Sequence, residues 1–177
     1  KSAAKYETIW SDKGSPLIHH TNEQARLLKQ NTNWDIETCM RYGNPSTHYT
    51  LKAMSEKYPG KIKVILFPLY PHYAMSSYET AVEQVKEIYS KNNYSFELEI
   101  IPPFYNHPLY INALSKLIQP YVQKNYDHIL FSYHGIPERH ITKPDPTKKH
   151  CLKVENCCQL SCKEAQDVCY RHQVFTT

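Results

Sequence analysis

The stretch KVILFPLYPHYAMSSYETAVEQVKEIYSKN, residues 63–92, joins a short apolar run to a long amphipathic segment. KVILF is a continuous apolar run of the kind that parallel sheets bury on both faces. Apolar side chains of the second part recur at helical spacing, at Tyr78, Val82, Val85, Ile88 and Tyr89. Ser76 and Glu79 have the spacing of a capping box, which predicts that the helix begins there. A strand followed by a helix is the repeating unit of α/β proteins.

The sequence before this stretch predicts two helices and one strand. TNEQARLLKQN, residues 21–31, is typical of a capped helix. IETCMRY, residues 36–42, alternates in the way of a strand. PSTHYTLKAMSEKYPG, residues 45–60, predicts a second helix, with Pro45 in its first turn and the Pro59-Gly60 pair as its stop.

The sequence after the stretch repeats the pattern. FELEI, residues 96–100, alternates as a half-buried strand, and a helical segment begins at Pro108, with Pro120 as a kink or end. HILFSY, residues 128–133, predicts another apolar strand. The order of elements predicts an α/β fold, with parallel sheets flanked by helices. A domain junction is expected between Asn93 and Phe96.

Composition narrows the classes of function. The 177 residues include 15 Tyr, 12 Pro and only 4 Gly, and 21 basic against 17 acidic residues give a net charge of +4. The basic residues are scattered, so nucleic-acid binding is not indicated. No apolar run approaches the roughly 18 residues of a membrane span, which predicts a soluble chain without a transmembrane segment. The chain starts at Lys1 without a leader, and we expect it to be a piece of a longer protein.

Aromatic, histidine and arginine residues follow the predicted strands. Ligands of such sheets bind beyond the carboxyl ends of the strands. Residues at those positions are Arg41 and Tyr42 after the first strand, Tyr70, His72 and Tyr73 after the second, Tyr105 and His107 after the third, and His134 after the fourth. They predict one shared ligand-binding edge.

The chemistry of these residue types suits a flat, acidic, metal-accepting ligand. Aromatic rings stack on a planar ring, arginine pairs with carboxylates, and histidine accepts protons or a metal near neutral pH. A dicarboxylic macrocycle that takes up a metal would use all three. A phosphate site is disfavoured because the turns lack glycine-rich loops. Serine hydrolase chemistry is excluded because the sequence has no G-x-S-x-G motif.

Three motifs of this chain resemble the ferrochelatase family, whose members insert ferrous iron into a porphyrin. They are FSYHGIPERH at residues 131–140, FPLYPHYAMSS at residues 67–77 and MRY at residues 40–42, supported by GSPL at residues 14–17. The resemblance covers nearly the whole chain. It implies a Rossmann-like chelatase fold with parts of two similar domains, residues 1–93 from the first and residues 94–177 from the second, in a cytoplasmic enzyme.

The resemblance also implies roles for individual residues. His134 matches the active-site histidine of the family, Tyr70 and Tyr73 match tyrosines that line the porphyrin cleft, and Arg41 and Tyr42 match a pair beside that cleft. Ferrous iron replaces two pyrrole protons, and a neutral imidazole, with an ordinary pKa of about 6.5, can accept a proton, ligate iron, or do both in turn. The sequence leaves these roles of His134 open.

Two parts of the family's machinery have no match in this chain. The family uses a carboxylate from its C-terminal half, facing the histidine across the porphyrin, and begins with a strand and a glycine-rich turn. Neither segment is found in this sequence. We therefore expect the chain alone to insert iron weakly or not at all.

Five of the six cysteines fall within residues 151–169, at Cys151, Cys157, Cys158, Cys162 and Cys169. Four thiolates suffice for a [2Fe-2S] cluster or a tetrahedral zinc ion. The segment resembles the cysteine-rich insertion of some bacterial ferrochelatases, which implies a [2Fe-2S] cluster. The sequence does not determine which four bind, since the side chains of the adjacent Cys157 and Cys158 are expected to diverge. A disulfide pair and idle reduced thiols are the alternatives, and Cys39 is predicted to be a small core residue.

Other functions remain open at this point. The porphyrin could be protoporphyrin or coproporphyrin, since one arginine does not distinguish their carboxylate counts. A cobalt chelatase for another tetrapyrrole would keep a similar fold and histidine. A non-enzymatic metal or iron–sulfur module would bind no porphyrin. The sequence does not determine the oligomeric state.

Overall fold

The computed structural model describes residues 2–177, which form two compact units. The first unit contains the chain up to Gly60 together with Ile88–Ser95, and the second contains Lys61–Glu87 and Phe96–Thr177. These units are defined by contacts within the chain, whereas the predicted boundary at residue 93 concerns domains of a longer protein. The division into parts of two similar domains stays a prediction.

The first unit is helical. Helix α1 spans Ser2–Glu7, α2 spans Pro16–Asn31 and α3 spans Thr47–Lys57. Helix α2 is preceded by Ser15 at the N-cap and begins with proline, so it starts earlier than the predicted segment at residue 21. Pro45 does not lie in the first turn of α3. Ser46 is the N-cap, and its hydroxyl accepts the Tyr49 backbone N–H at 3.3 Å.

The strand predicted at residues 36–42 is not formed. Its only bridge in the described chain is an isolated one between Met40 and Ser46, where the Met40 N–H donates to the Pro45 carbonyl at 2.8 Å. Gly43, at φ +82°, turns the chain between these two residues. Because the chain folds back on itself here, the alternating side chains have no neighbouring strand to pair with. The prediction was wrong because alternation alone does not supply a partner strand.

The second unit contains the α/β element that the sequence predicted. Strand β1, Lys63–Leu66, pairs in parallel with β2, Glu97–Ile100, with Val64 opposite Leu98. Helix α4, Thr80–Lys91, lies between these strands in the sequence. The α/β fold class with a parallel sheet is confirmed. Strand β1 is not buried on both faces, since Val64 is buried whereas Ile65 is 41% exposed.

Helix α4 begins differently from its prediction. A π-helical turn, Met75–Glu79, precedes it, and the Glu79 N–H donates to the Ala74 carbonyl five residues earlier at 3.1 Å. Ala74 is the N-cap and carries no side-chain cap. Ser76 therefore lies inside the turn, and the predicted capping box of Ser76 with Glu79 was wrong. The Glu79 carboxylate instead accepts a hydrogen bond from the Tyr73 hydroxyl. Glu79 therefore does not cap the helix as the predicted capping box required.

Helix α5 spans Pro108–Val122, and its predicted start at Pro108 is confirmed. His107 caps it by accepting the Leu109 N–H on Nδ1 at 3.3 Å, and Pro120 lies within its last turn. Residues 128–133, predicted as a strand, have no regular structure, and Leu130 is 92% exposed. Within residues 2–177, this run has no strand beside it to complete a hydrogen-bonded ladder, which is why the prediction was wrong.

The chain from Arg139 onwards contains three short helices. They are α6, Arg139–Thr142, α7, Lys163–Gln166, and α8, Tyr170–Thr176. They surround a small core of Ile141, Cys151, Ala165 and Cys169. Over the part of the chain that the structure describes, none of the helices has both the length and the apolar character needed to span a membrane.

Candidate functional site

An aromatic cluster is centred on His72, which follows β1. The His72 ring stacks on Tyr105 at 6.4 Å between centroids and meets Tyr133 and Tyr170 edge to face, each at 5.9 Å. Its Nε2 atom lies 2.9 Å from the Thr177 hydroxyl oxygen. Burial lowers the pKa of His72, so its imidazole stays neutral to lower pH than a free one.

Tyr73 is held from both its backbone and its side chain. Its N–H donates to the Gln173 side-chain oxygen at 2.6 Å, and its hydroxyl hydrogen-bonds to Glu79. Burial, followed by the Glu79 carboxylate, raises the pKa of Tyr73. The ring is 8% exposed and lies 6.0 Å from the Tyr78 ring between centroids. Of the two predicted cleft tyrosines, the half-buried Tyr70 is therefore the more accessible one.

His134 presents an exposed side chain on a loop that is anchored at its backbone. The His134 backbone hydrogen-bonds to the Tyr170 hydroxyl. Burial, and then the neighbouring Tyr133, raise the pKa of Tyr170, and the bond from His134 offsets part of this rise. Tyr133, next in the chain, reaches the His72 ring. The second unit thus brings the His134 loop, His72 and α8 together.

A cavity of about 780 Å³ opens between α5 and the chain just before His134. Its lining is mostly apolar and aromatic, and includes Tyr110, Ile118, Val122, Phe131 and Tyr133. This volume falls within the range of about 300–1,000 Å³ that is typical of small-molecule sites. The cavity therefore offers room for a largely apolar small molecule beside the histidine loop.

Arg41 and Tyr42 belong to the first unit and are described by themselves. The Arg41 guanidinium carbon lies 4.5 Å from the centroid of the Tyr42 ring, in cation–π geometry. Tyr42 is 73% exposed, whereas Arg41 is half-buried. The pair is thus preformed as a cationic and aromatic unit.

The cysteine segment is folded around a buried carboxylate, Asp145. It accepts the backbone N–H groups of Thr147, His150 and Cys151 at 2.9, 3.0 and 2.9 Å, and the Thr147 hydroxyl at 2.7 Å. Burial alone would raise the pKa of Asp145, but these hydrogen bonds outweigh it and lower the pKa to about 2. Asp145 was not singled out in the sequence, although Thr147 two residues later gives the spacing of an Asx turn.

Four of the five clustered thiols interact with one another. Cys151 hydrogen-bonds to Cys169, and Cys158 hydrogen-bonds to Cys157, so the side chains of Cys157 and Cys158 do not diverge as predicted. Burial and then neighbouring thiols raise the pKa of Cys151 to about 12 and that of Cys158 to about 11. Cys162 packs at the edge of the small core. Several thiolates at these positions would repel one another unless a cation neutralised them.

Backbone contacts shape the same segment. His150 Nε2 lies 2.9 Å from the Cys157 carbonyl oxygen, and His172 Nδ1 lies 3.1 Å from that of Cys158. Across residues 2–177, no group of three or more histidine, cysteine or acidic side chains is arranged as a metal site. All six cysteines are free thiols, so the predicted alternative of a disulfide pair is not formed. Cys39 is half-buried and lies outside any strand, in the stretch wrongly predicted as one.

The fold and these residues define an α/β protein whose strands lead into tyrosine- and histidine-rich loops, followed by a thiol-rich segment. The chain belongs to the ferrochelatase family. A family model described as Ferrochelatase matches residues 1–176.

Individual relatives are similar over nearly the whole chain. A ferrochelatase of Pseudomonas fluorescens strain SBW25 is 40% identical over 177 residues, covering 99% of this chain and 51% of the relative. Ferrochelatases of Pseudomonas savastanoi pv. phaseolicola and Pseudomonas syringae pv. tomato are each 40% identical over 174 residues, covering 98% of this chain and 50% of each relative. The chain thus spans about half the length of these curated relatives. No solved structure matches.

Proposed function

We propose that this chain is part of an enzyme that inserts Fe²⁺ into protoporphyrin IX, releasing two protons. The observation that carries the proposal is the exposed side chain of His134 on a backbone-anchored loop next to the 780 Å³ cavity. Membership of the ferrochelatase family supports the same reaction. Coproporphyrin is the alternative substrate.

The proposed reaction needs a proton acceptor near the ring. Fe²⁺ enters as the two pyrrole N–H bonds break, so two protons leave and the metal gains four nitrogen ligands. The His134 imidazole can take one proton at a time when neutral, and its exposure allows that proton to pass to water. The hydrogen bond to Tyr170 anchors the His134 backbone, which reduces the backbone entropy lost when the imidazole reaches the reactive geometry.

Each unit carries candidate binding residues for the macrocycle. Tyr70 offers an accessible ring for stacking, and Tyr73 fixes the backbone of the same segment from its buried position. Arg41 with Tyr42 supplies a cation beside an exposed ring, which suits a propionate next to a flat surface. These assignments rest on the family motifs together with the exposure of each side chain.

A titration of the Soret band tests binding. We expect saturable binding of protoporphyrin IX by the chain, weakened about tenfold in Tyr70→Ala through loss of ring stacking. His128→Ala, which changes an exposed histidine of the same unit, is the matched control and should bind as the unmodified chain does. Absence of porphyrin binding by the correctly folded chain would contradict the proposal and favour the non-enzymatic metal module.

Insertion itself is best tested in a protein of full family length. Replacing the matching segment of the Pseudomonas fluorescens ferrochelatase by this chain gives a chimera in which iron insertion can be followed anaerobically from the porphyrin absorption bands. His134→Ala in that chimera should lower kcat by at least about 100-fold, in the range expected for a lost proton acceptor. His128→Ala should leave it unchanged, and an active His134→Ala chimera would remove His134 from the proposed mechanism.

We propose that the cysteine segment binds a [2Fe-2S] cluster through Cys151, Cys157, Cys158 and Cys169. These four thiols interact as two hydrogen-bonded pairs, Cys151 with Cys169 and Cys157 with Cys158, and four thiolates match the ligand requirement of such a cluster. A bound cluster would supply metal–thiolate bonds that cross-link the segment. Zinc is the alternative metal, because it accepts four thiolates as well.

Visible absorbance after anaerobic reconstitution with iron and sulfide distinguishes these metals. A [2Fe-2S] cluster gives a coloured protein, whereas a zinc site is colourless. Serine at any of the four proposed positions should abolish or strongly shift the absorption bands, and Cys162→Ser should retain them. Loss of the bands in Cys162→Ser would show that the proposed ligand set is wrong.

We also propose a cytoplasmic location. All six cysteines are free, which fits a reducing compartment better than an oxidising one. Labelling of the thiols in intact and lysed cells with a membrane-impermeant reagent tests this, since only lysed cells should react.

A further inference from the structure

The Gln173 side chain is fully buried and joins two distant parts of the sequence. It is 0% exposed, and its amide oxygen accepts the backbone N–H of Tyr73, 100 residues away, at 2.6 Å. Its Nε2 atom donates to the Gln166 carbonyl at 3.2 Å and to the Asp167 carbonyl at 2.9 Å. Since the amide oxygen meets an N–H donor and the amide nitrogen meets two carbonyl acceptors, the orientation of the amide is fixed.

A second contact lies one turn further on, at Thr177, the C-cap of α8. The Thr177 hydroxyl contacts Nε2 of His72 at 2.9 Å, while Gln173 holds Tyr73. Residues four apart on a helix lie on the same face. Gln173 and Thr177 therefore lie on one face and hydrogen-bond two consecutive residues, Tyr73 and His72, of the loop that follows β1.

The other end of α8 belongs to the cysteine segment. Cys169 is its N-cap, with Sγ accepting the His172 N–H at 3.5 Å, and the Cys169 carbonyl accepts the Gln173 N–H at 3.1 Å. Cys169 in turn bonds the Cys151 thiol. A continuous set of contacts thus runs from the thiols through α8 to the backbone of Tyr73.

We propose that Gln173 is a positioning residue that holds the Tyr70–Tyr73 loop, so that the porphyrin affinity of this loop depends on the cysteine segment. This inference rests on the proposed porphyrin function. Gln173 does not touch the ligand in this scheme, because its amide is fully engaged with protein groups. It acts by accepting the backbone N–H of Tyr73, which fixes the backbone of the loop at that residue.

Two variants of Gln173 separate positioning from simple packing. Gln173→Met keeps the length of the side chain and removes all three hydrogen bonds. Gln173→Glu keeps the acceptor for the Tyr73 N–H, but in its ionised form cannot donate to the carbonyls of Gln166 and Asp167. Because burial raises the pKa of a carboxyl group, protonation on lowering the pH restores one donor. Gln159→Met, which changes an exposed glutamine of the same segment, is the control.

The direct readout is hydrogen exchange at the Tyr73 amide, measured on chains that far-UV circular dichroism shows to be folded. We expect exchange about tenfold or more faster in Gln173→Met than in Gln159→Met, with protoporphyrin IX affinity lowered by a similar factor, as the loss of a buried hydrogen bond implies. In Gln173→Glu, affinity relative to the unmodified chain should recover as the pH falls from 8 to 6.

The outcomes distinguish the inference from the function on which it rests. Unchanged Tyr73 exchange in Gln173→Met, or faster exchange with unchanged affinity, would overturn the positioning role. If Gln173→Met does not fold, the pH profile of Gln173→Glu decides, and a flat profile counts against the proposal. If the unmodified chain binds no porphyrin, the proposed function fails, and Tyr73 exchange in Gln173→Met then decides separately whether Gln173 holds the loop.

Discussion

The carboxylate of Asp145 accepts a hydrogen bond from the backbone N–H of Cys151 at 2.9 Å, in an environment where the Asp145 side chain is 1% exposed. This bond places the first cysteine of the segment in the small core beside Cys169. The carboxylate therefore organises the loop that carries Cys151.

Replacing Asp145 by asparagine should lower the free energy of unfolding at pH 7 by roughly 2 kcal/mol, the value implied by a pKa lowered from 3.8 to about 2. The folded-state pKa lies below the unfolded one. The contribution is therefore complete above about pH 4 and is lost as the pH falls towards 2.

Urea denaturation between pH 7 and pH 2.5 measures this effect. The stability of the unmodified chain should approach that of Asp145→Asn at the acid end. Asp127→Asn, at an exposed aspartate, should follow the unmodified chain throughout. A constant difference between Asp145→Asn and the unmodified chain over this range would contradict the assigned role of the charge.

Truncation of Phe96 tests the packing beneath the start of β2. Phe96 is 2% exposed, and Phe96→Ala should cost about 3–5 kcal/mol through lost burial and the cavity left behind. Phe175→Ala is the control, because Phe175 is 70% exposed. This substitution should lower the free energy of unfolding by about 1 kcal/mol at most, including the lost contact with Arg171. Similar losses in chemical denaturation for the two variants would mean that Phe96 is not a core residue.

The N-cap of α3 provides a test of local helix stability. Ser46→Ala removes the acceptor for the Tyr49 N–H and should destabilise the chain by about 1 kcal/mol. Ser46→Asp supplies another acceptor, with a charge that favours the helix N-terminus, and should restore the loss. Thermal unfolding followed by circular dichroism gives the comparison, and failure of aspartate to rescue would rule out capping as the cause.

His72 should make the chain less stable in mild acid. Because burial lowers its folded-state pKa, the neutral imidazole contributes stability that is present above the unfolded pKa and is lost as the pH falls through the folded one. His72→Phe retains an aromatic ring and should show a weaker loss of stability between pH 7 and pH 5. Titration of the imidazole proton signals by NMR checks the direction of the shift, and a His72 pKa above its ordinary value would disprove it.

The sequence alone determined the elements whose signals are local. The spacing of Val82, Val85 and Ile88 predicted most of α4, and the apolar run at Val64 predicted β1. Proline at Pro108 located the start of α5. The motifs around His134 and Tyr73 were sufficient to indicate the family. These features depend on residues within a few positions of one another, so no distant partner is needed to read them.

Only the tertiary structure decided the rest. Residues 36–42 and 128–133 have strand-like sequences, yet neither forms a strand in the described chain, because a strand exists only with a neighbour that completes its hydrogen bonds. Other contacts join residues far apart in the chain. Tyr73 is buried and donates its N–H to Gln173, and Cys151 hydrogen-bonds to Cys169. No periodicity encodes such contacts, since they depend on which surfaces meet when the local elements pack together.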